Sequence, residues 1–338
     1  MRGEHIEQQH GQKTFASLGF DQRRKATRRH AFLRSMNRVM PWEDLARLVE
    51  PYYPTQEGPG RPAKPLGWML KLYFLQIWWN LSDPQTEDLM HDSHAVQEFL
   101  GLDLGRDRPP DETTICRFRH LLEKHQLGKR ILEIVNRHLE RAGLRVQDGT
   151  IVDATIIHAP TSRKNKQGQP SPEMGSTKKG HQWYYGMKVH VGVDAETKIV
   201  HWVEVTAANV HDSQVMGQLL HGEETAVYGD KAYVGQEESI RDVAPEAKSF
   251  VLHRAARNHP LRCWQEKLNR LWNSVRSGVE HVFGVGGKLG LVGGGCGQRG
   301  LKKNAEYAYG AVACVNVYRH RRRLLEYLEG DSPALCFG

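Results

Sequence analysis

The chain has 338 residues, of which 39% are hydrophobic and 25% charged, and it carries a net charge of +8. That length and balance fit a globular protein with a sizeable core, with room for two domains at roughly 150 residues each. They exclude a fibrous or disordered chain. The positive charge favours a polyanionic partner without requiring one. No run reaches the roughly 20 apolar residues needed to span a bilayer, since Leu66 to Trp79 is short and carries Lys71 and Gln76. The polar start, Met1 to His5, lacks a signal-peptide core, and nothing points to a membrane or a small-molecule substrate. Five widely spaced cysteines, Cys116, Cys263, Cys296, Cys314 and Cys336, form no zinc pair and no evident disulfide framework, so a reducing cytoplasm is expected.

Residues 1–34 read as a polar, basic tail with clusters at Arg23-Arg24-Lys25 and Arg28-Arg29. A helix is expected from Phe32 to Tyr53, ended by Pro51. A turn-rich linker, Gly58 to Pro65, follows. Leu66 to Asn80 is the strongest helical pattern, with Trp78 and Trp79 read as core. Ser82-Asp83-Pro84 starts another helix, and Asp111 is the N-cap of a basic amphipathic helix running to Leu122. Two readings of that helix stay open. As part of a helix-turn-helix-like unit it would offer Thr113, Thr114, Arg117 and Arg119 to DNA, and as an ordinary bundle helix it would have a solvated basic face. A helix from Ile131 to Gly143 completes an all-helical N-terminal domain, residues 35–145, suited to end binding or dimerisation.

From Gly149 the texture becomes β-rich. Gly149 to Ile157 is a β-branched strand with Asp153 in its middle. An ionised aspartate out of water costs several kcal/mol unless something offsets it. A divalent cation would do so, and so would hydrogen bonds at a fraying strand end. Thr161 to Gly180 reads as a lysine-rich loop containing Lys164, Lys166, Lys178 and Lys179. Trp183 to Val193 and Ile199 to Thr206 read as a hairpin turning at Asp194 to Thr197. A helix over Val215 to His221 follows, then a strand, Glu224 to Tyr228, that delivers Asp230. Ser249 to Leu252 is a further strand, and Leu261 to Phe283 a long helix bearing Arg276 and Glu280. Two strand-borne aspartates and a helix-borne glutamate could meet on one or two Mg²⁺ ions, which take hard oxygen ligands and often few of them from protein. The glycine-rich stretch Gly284 to Gly300 lacks the Gly-Lys-Ser/Thr ending of a P-loop and is a poor helix former, so the helix is expected to end soon after Phe283. A last helix, Asn304 to Leu328, carries the basic cluster Arg319 to Arg323 and is expected to pack on the sheet.

The stretches Gly149-Thr150-Ile151-Val152-Asp153-Ala154-Thr155, Trp183-Tyr184-Tyr185-Gly186-Met187-Lys188, Ala207-Ala208-Asn209-Val210-His211-Asp212 and Val279-Glu280-His281-Val282-Phe283 resemble the bacterial insertion-sequence transposases of the DDE type, in particular the insertion sequence 5 family. The resemblance runs from about Pro51 to about Arg323, with the motifs in the family's order. It implies an α/β chain in which an RNase H-like mixed sheet, residues 146–330 with the C-terminal helix, follows the all-helical N-terminal domain. It implies that Asp153, Asp230 and Glu280 are a catalytic triad holding two Mg²⁺ ions, with Mn²⁺ as a substitute, for cleavage and strand transfer of double-stranded DNA. The partners implied are terminal inverted repeats and target DNA, bound by a homodimer in the cytoplasm at the nucleoid. Asp212 is the rival to Asp230 and otherwise reads as a helix N-cap. Arg276 would hold a DNA phosphate near the cations, or else simply pair with Glu280 one turn away. Lys288, Lys188, Trp183 and Lys179 are further candidates for DNA contact, and Trp183 reads equally as core. Two positions depart from the family pattern: Asn273 stands where a tyrosine is usual, and Gly287 where a lysine is usual, with Lys288 one place late. The alternatives are a metal-dependent nuclease of the same fold and an impaired copy that only binds DNA.

Overall fold

The computed structural model describes residues 27–54, 62–159, 171–256, 258–289 and 300–330. Most of the expected basic tail, most of the linker before Pro65, the lysines at 164 and 166, and the middle of the glycine-rich stretch lie outside them.

The helical region surrounds one helix. Expected helix Phe32–Tyr53 is in fact two, α1 (Arg28–Val39) and α2 (Trp42–Val49), because Pro41 forces the preceding Met40 into extended backbone. Next comes α3 (Leu66–Trp79), whose Met69, Leu72, Phe74, Leu75 and Trp78 are all buried. Its apolar surface therefore runs most of the way round, as in a helix enclosed by others. Lys71 is the exception, reaching out to donate to the Phe99 carbonyl at 2.7 Å.

Beyond it, α4 (Asp83–Asp92) opens with a capping box between Ser82 and Gln85. A short helix not anticipated from the sequence, α5 (His94–Leu100), comes next. In α6 (Glu112–Lys124), Asp111 caps by accepting the Thr114 N–H at 2.7 Å. The last of the set, α7 (Leu127–Arg141), starts four residues earlier than expected. Arg119 does not share the solvated face of α6 with Arg117. Both of its terminal nitrogens donate to the two Asp83 oxygens, at 2.8 and 2.9 Å, and lock α6 to α4.

The sheet has six strands: β1 (Gly149–His158), β2 (Gly175–Lys179), β3 (Gln182–Asp194), β4 (Val200–Ala207), β5 (Ala226–Gly229) and β6 (Lys248–Val251). Strand β3 is antiparallel to both β1 and β4, while β5 runs parallel to β1 and β6 parallel to β5. This is the RNase H-like mixed sheet, with β2 added as a short antiparallel partner of β3. The β2 residues, expected as part of a loop, form a strand instead. The β3–β4 turn falls where expected, since buried Asp194 accepts N–H groups from Glu196 and Thr197 on one oxygen and from Gln147 on the other.

The segment expected as a helix over Val215–His221 is a 3₁₀ stretch, Asp212–Leu219. Helix α8 (Glu237–Val243) precedes β6 and was not anticipated. The long helix expected over Leu261–Phe283 divides into α9 (Cys263–Arg276) and α10 (Gly278–Lys288). At the junction a Cβ on Gly278 would run into the Lys198 side chain, so the glycine permits that close approach. Despite three glycines, α10 continues five residues beyond Phe283, held by Val279 and Val282, which are fully buried.

One continuous core joins the helical region to the sheet face that carries Ile151, Val189 and Val191. A smaller cluster covers the reverse face, around Val152, Val215, Met216, Val227 and Tyr233. The two regions are joined by α11 (Leu301–Glu329), which packs on α7 and β4. Its fully buried Asn316 accepts the Val200 N–H at 3.0 Å and donates to the Val200 carbonyl and to Asn136 Oδ1, both at 2.8 Å. Replacing Asn316 with alanine takes the side-chain partner from the buried Val200 N–H, while the Val200 carbonyl keeps the Asn136 amide at 3.1 Å, so a loss of about 2 kcal/mol is expected from urea unfolding. An unchanged midpoint would show that water can reach Val200.

Candidate active site

The pairing of β1 with β5 matches Ile151 to Tyr228 in parallel register. Two residues further along stand Asp153 and Asp230. Since side chains alternate with period two, the register brings both carboxylates to one face at one end of the sheet. Asp153 shares the face of Ile151, and its cross-strand partner on β3 is Val191. One oxygen of Asp153 accepts the Ala154 N–H at 2.8 Å. Asp230 follows β5 directly and accepts the Ala232 N–H at 2.8 Å, opening a 3₁₀ turn, Lys231–Tyr233.

Arg276, the last residue of α9, sits between the acidic groups. Its guanidinium donates to Asp153 Oδ2 at 3.0 Å, to Glu280 Oε1 at 3.2 Å and to Asn273 Oδ1 at 3.0 Å. Asn273, where the family pattern has tyrosine, thus helps to aim the guanidinium. Burial pushes the Asp153 carboxyl up to about 6, and the negative charges of Asp230 and Asp212 add to the rise. The Ala154 N–H and Arg276 oppose it. Asp153 is mostly buried, whereas the Glu280 side chain is 65% exposed, on the outer side of Arg276. The structure therefore brings Asp153 and Asp230 together and leaves Glu280 tethered beside them.

Asp212 approaches from the reverse face. Lys188 and His190 pair across β3 with Ile156 and Ala154 of β1, so they point away from the face of Asp153. Lys188 donates to Asp212 Oδ1 and to the Val210 carbonyl, each at 2.9 Å. Lys188, a candidate for DNA contact from the sequence, is thus tied internally to Asp212. Asp212 is not the cap of its 3₁₀ segment either. That role belongs to His211, whose ring accepts the Ser213 N–H.

Trp183 is 68% exposed on β3, opposite Lys178 of β2, which removes the reading of it as core. Lys179 and Arg117 are exposed as well. The Lys288 side chain lies outside the described residues. Sequence reasoning passed over Tyr233. Its ring is buried, its hydroxyl has no hydrogen-bond partner among the described residues, and burial first, then Asp212, Asp153 and Asp230, raise its pKa. The signal in the sequence was an aromatic three residues after Asp230, at a turn that follows a strand.

Among the described residues, no three His, Cys, Asp or Glu side chains lie close enough to enclose a metal ion. Two adjacent carboxylates still suit Mg²⁺, which commonly takes one or two protein carboxylates and completes its shell with water and substrate phosphate. Asp153 and Asp230 are the residues that fit it.

Residues 145–317 match the family described as the Transposase DDE domain. This chain belongs to the DDE transposase family. Residues 20–121 of the transposase match a second family, described as Transposase domain (DUF772). Membership places its reaction class as phosphoryl transfer on nucleic acid. A solved structure described as the Mos1 strand transfer complex is similar at 14% identity over 83% of this chain and 82% of that one. The TM-score between the two is 0.18. Among the described residues of the transposase, no helix is long and apolar enough to cross a membrane.

Proposed function

We propose that this transposase binds the terminal inverted repeats of an insertion sequence as a dimer and moves the element by divalent-metal-dependent cleavage and strand transfer. The observation that carries this reading is the juxtaposition of Asp153, in the middle of β1, with Asp230, just past the end of its parallel neighbour β5, and with Arg276 as the cation now beside Asp153. Bound Mg²⁺ or Mn²⁺, two per site, would activate a water or a DNA 3′-hydroxyl and stabilise the leaving oxygen. Asp153 and Asp230 would hold the ions from the sheet, and Glu280 would complete the triad from the first turn of α10. For Glu280 to reach that position, Arg276 must release it. A backbone phosphate is the natural competing partner for a guanidinium. Arg276 would thus exchange carboxylates for DNA as the substrate seats. Trp183 and Lys179, exposed on the β2–β3 hairpin, would lie along the strand, with the indole stacking on a base and the lysine pairing with phosphate. Arg117 would contribute from the helical region.

The test is to incubate a labelled, pre-cut terminal-repeat duplex, taken from the DNA flanking the gene, with supercoiled plasmid and Mg²⁺ or Mn²⁺. Joined product supports the transposase reading. Cutting without joining would identify a nuclease of the same fold, and specific binding without either would identify a DNA-binding protein that has lost its chemistry.

A further inference from the structure

None of the 14 residues of α9 is buried. The helix nevertheless carries an apolar stripe, Trp264, Leu268, Leu271 and Val275, at the four- and three-residue spacing that gathers side chains on one flank. Leu271 is 64% exposed and Trp264 51%. A contiguous apolar strip left in water marks a surface that meets a partner. The indole is held from one side only. His253, two residues past β6, donates its backbone N–H to Asn269 Oδ1 at 2.8 Å, and its carbonyl accepts from Asn269 Nδ2 at 3.0 Å. So anchored, the His253 ring meets Trp264 edge-on at 5.5 Å and Trp272 at 5.1 Å between centroids. Its Nε2 is buried with no hydrogen-bond partner among the described residues.

The surroundings are cationic. From His253 to Arg276 the sequence has one acidic residue, Glu266. Arg254, Lys267 and Arg270 are exposed and form no ion pair among the described residues. The surface is also continuous with the candidate active site, because α9 ends at Arg276, which binds Asp153. At the rise of an α-helix, Trp264 stands about 18 Å from Arg276 along the axis. An open indole among free cations suits a base stacked on the ring with its backbone phosphates paired alongside. A two-fold contact between copies of the chain would instead set this cationic helix against itself. The sheet order places the hairpin with Trp183 and Lys179 at one edge, and α9 at the other through the contact of Trp272 with Phe250 of β6. Strand transfer brings two DNA molecules to one pair of aspartates. With the hairpin edge along the element's end, the α9 edge is left for the target.

We propose that the flank of α9 around Trp264 is the docking surface for target DNA, with the indole stacked on an unstacked base and Arg254, Lys267 and Arg270 on phosphates. This rests on the strand-transfer reading above. The test is fluorescence anisotropy of the full chain in EDTA, so that no chemistry is needed, with two labelled duplexes. One is the terminal repeat; the other has an unrelated sequence with an internal mismatch that frees bases to stack. Trp264→Ala should bind the mismatched duplex about tenfold more weakly, with its affinity for the terminal repeat unchanged. Trp264→Phe keeps a stacking face and should retain most of the affinity. Arg270→Gln should lower the salt dependence of binding to the unrelated duplex by about one phosphate contact. Weaker binding of the terminal repeat by Trp264→Ala would overturn the assignment to target DNA. Unchanged affinity for both duplexes would overturn the DNA reading of this surface, and a dimer that becomes a monomer in Trp264→Ala by sedimentation would then identify a second copy as the occupant. Equal losses in Trp264→Ala and Trp264→Phe, with lowered thermal midpoints, would overturn it by showing that the indole only supports His253. If the wild type binds neither duplex, the transposition reading falls as well.

Discussion

Asp153→Asn is expected to lower strand transfer by at least about 1,000-fold while leaving the protein folded. Such a drop corresponds to losing several kcal/mol of cation-mediated charge stabilisation at about 1.4 kcal/mol per tenfold in rate. The same substitution should have an opposite, pH-dependent effect on stability. In the folded protein Asp153 holds its proton up to about pH 6, whereas an ordinary aspartate releases it near 3.8. Between those values the folded state binds a proton that the unfolded chain has released, so the contribution of this group to stability falls as pH rises from about 4 to about 6, then levels off. Asparagine has no such proton to lose. Compared by urea unfolding in EDTA, the variant should therefore gain on the wild type between pH 4 and pH 6.5. A constant difference across that range would mean that Asp153 ionises normally and that its burial is relieved by some means other than proton uptake.

Arg276→Gln should separate binding of the ion from chemistry. In the free protein the guanidinium neutralises Asp153 and tethers Glu280, so it occupies the electrostatic place of a cation. Removing it should tighten Mn²⁺ binding in the absence of DNA. The loss of a charge-assisted contact to phosphate, about 2–3 kcal/mol, should at the same time lower strand transfer by up to about 100-fold. Glutamine keeps much of the length of the side chain, so gross packing should survive. Weaker Mn²⁺ binding together with lower activity would instead mean that Arg276 is needed to hold the carboxylates in place.

The sheet was legible because its strands carry the period-two and β-branched patterns that survive in a buried sheet. The run Gly149 to Ile157 announced both β1 and its displaced aspartate, and Asp194 announced the hairpin turn through its preference for accepting nearby N–H groups. What the sequence hid was of two kinds. Local pattern could not show the breaks at Pro41 and Gly278 as firmly as it showed the helices around them, nor that α10 would continue through glycines once Val279 and Val282 had bought it a place in the core. Lys188 and Arg119 look like surface cations, but partners distant in sequence, Asp212 and Asp83, draw them inward. Neither pairing has a local signature. Arg276 was legible as a neighbour of Glu280 by its four-residue spacing, whereas its bond to Asp153, 123 residues away, depends on how α9 meets the sheet.

The measurement that tests the account most directly is the yield of joined product from a pre-cut terminal-repeat duplex in Mn²⁺, compared among wild type, Asp153→Asn, Asp230→Asn and Glu280→Gln. Joining by the wild type that is lost in all three variants, each still folded and still binding the duplex, is the predicted result. Wild-type joining that persists undiminished in Asp230→Asn would contradict it, because the aspartate that the parallel register sets beside Asp153 would then have no part in the chemistry.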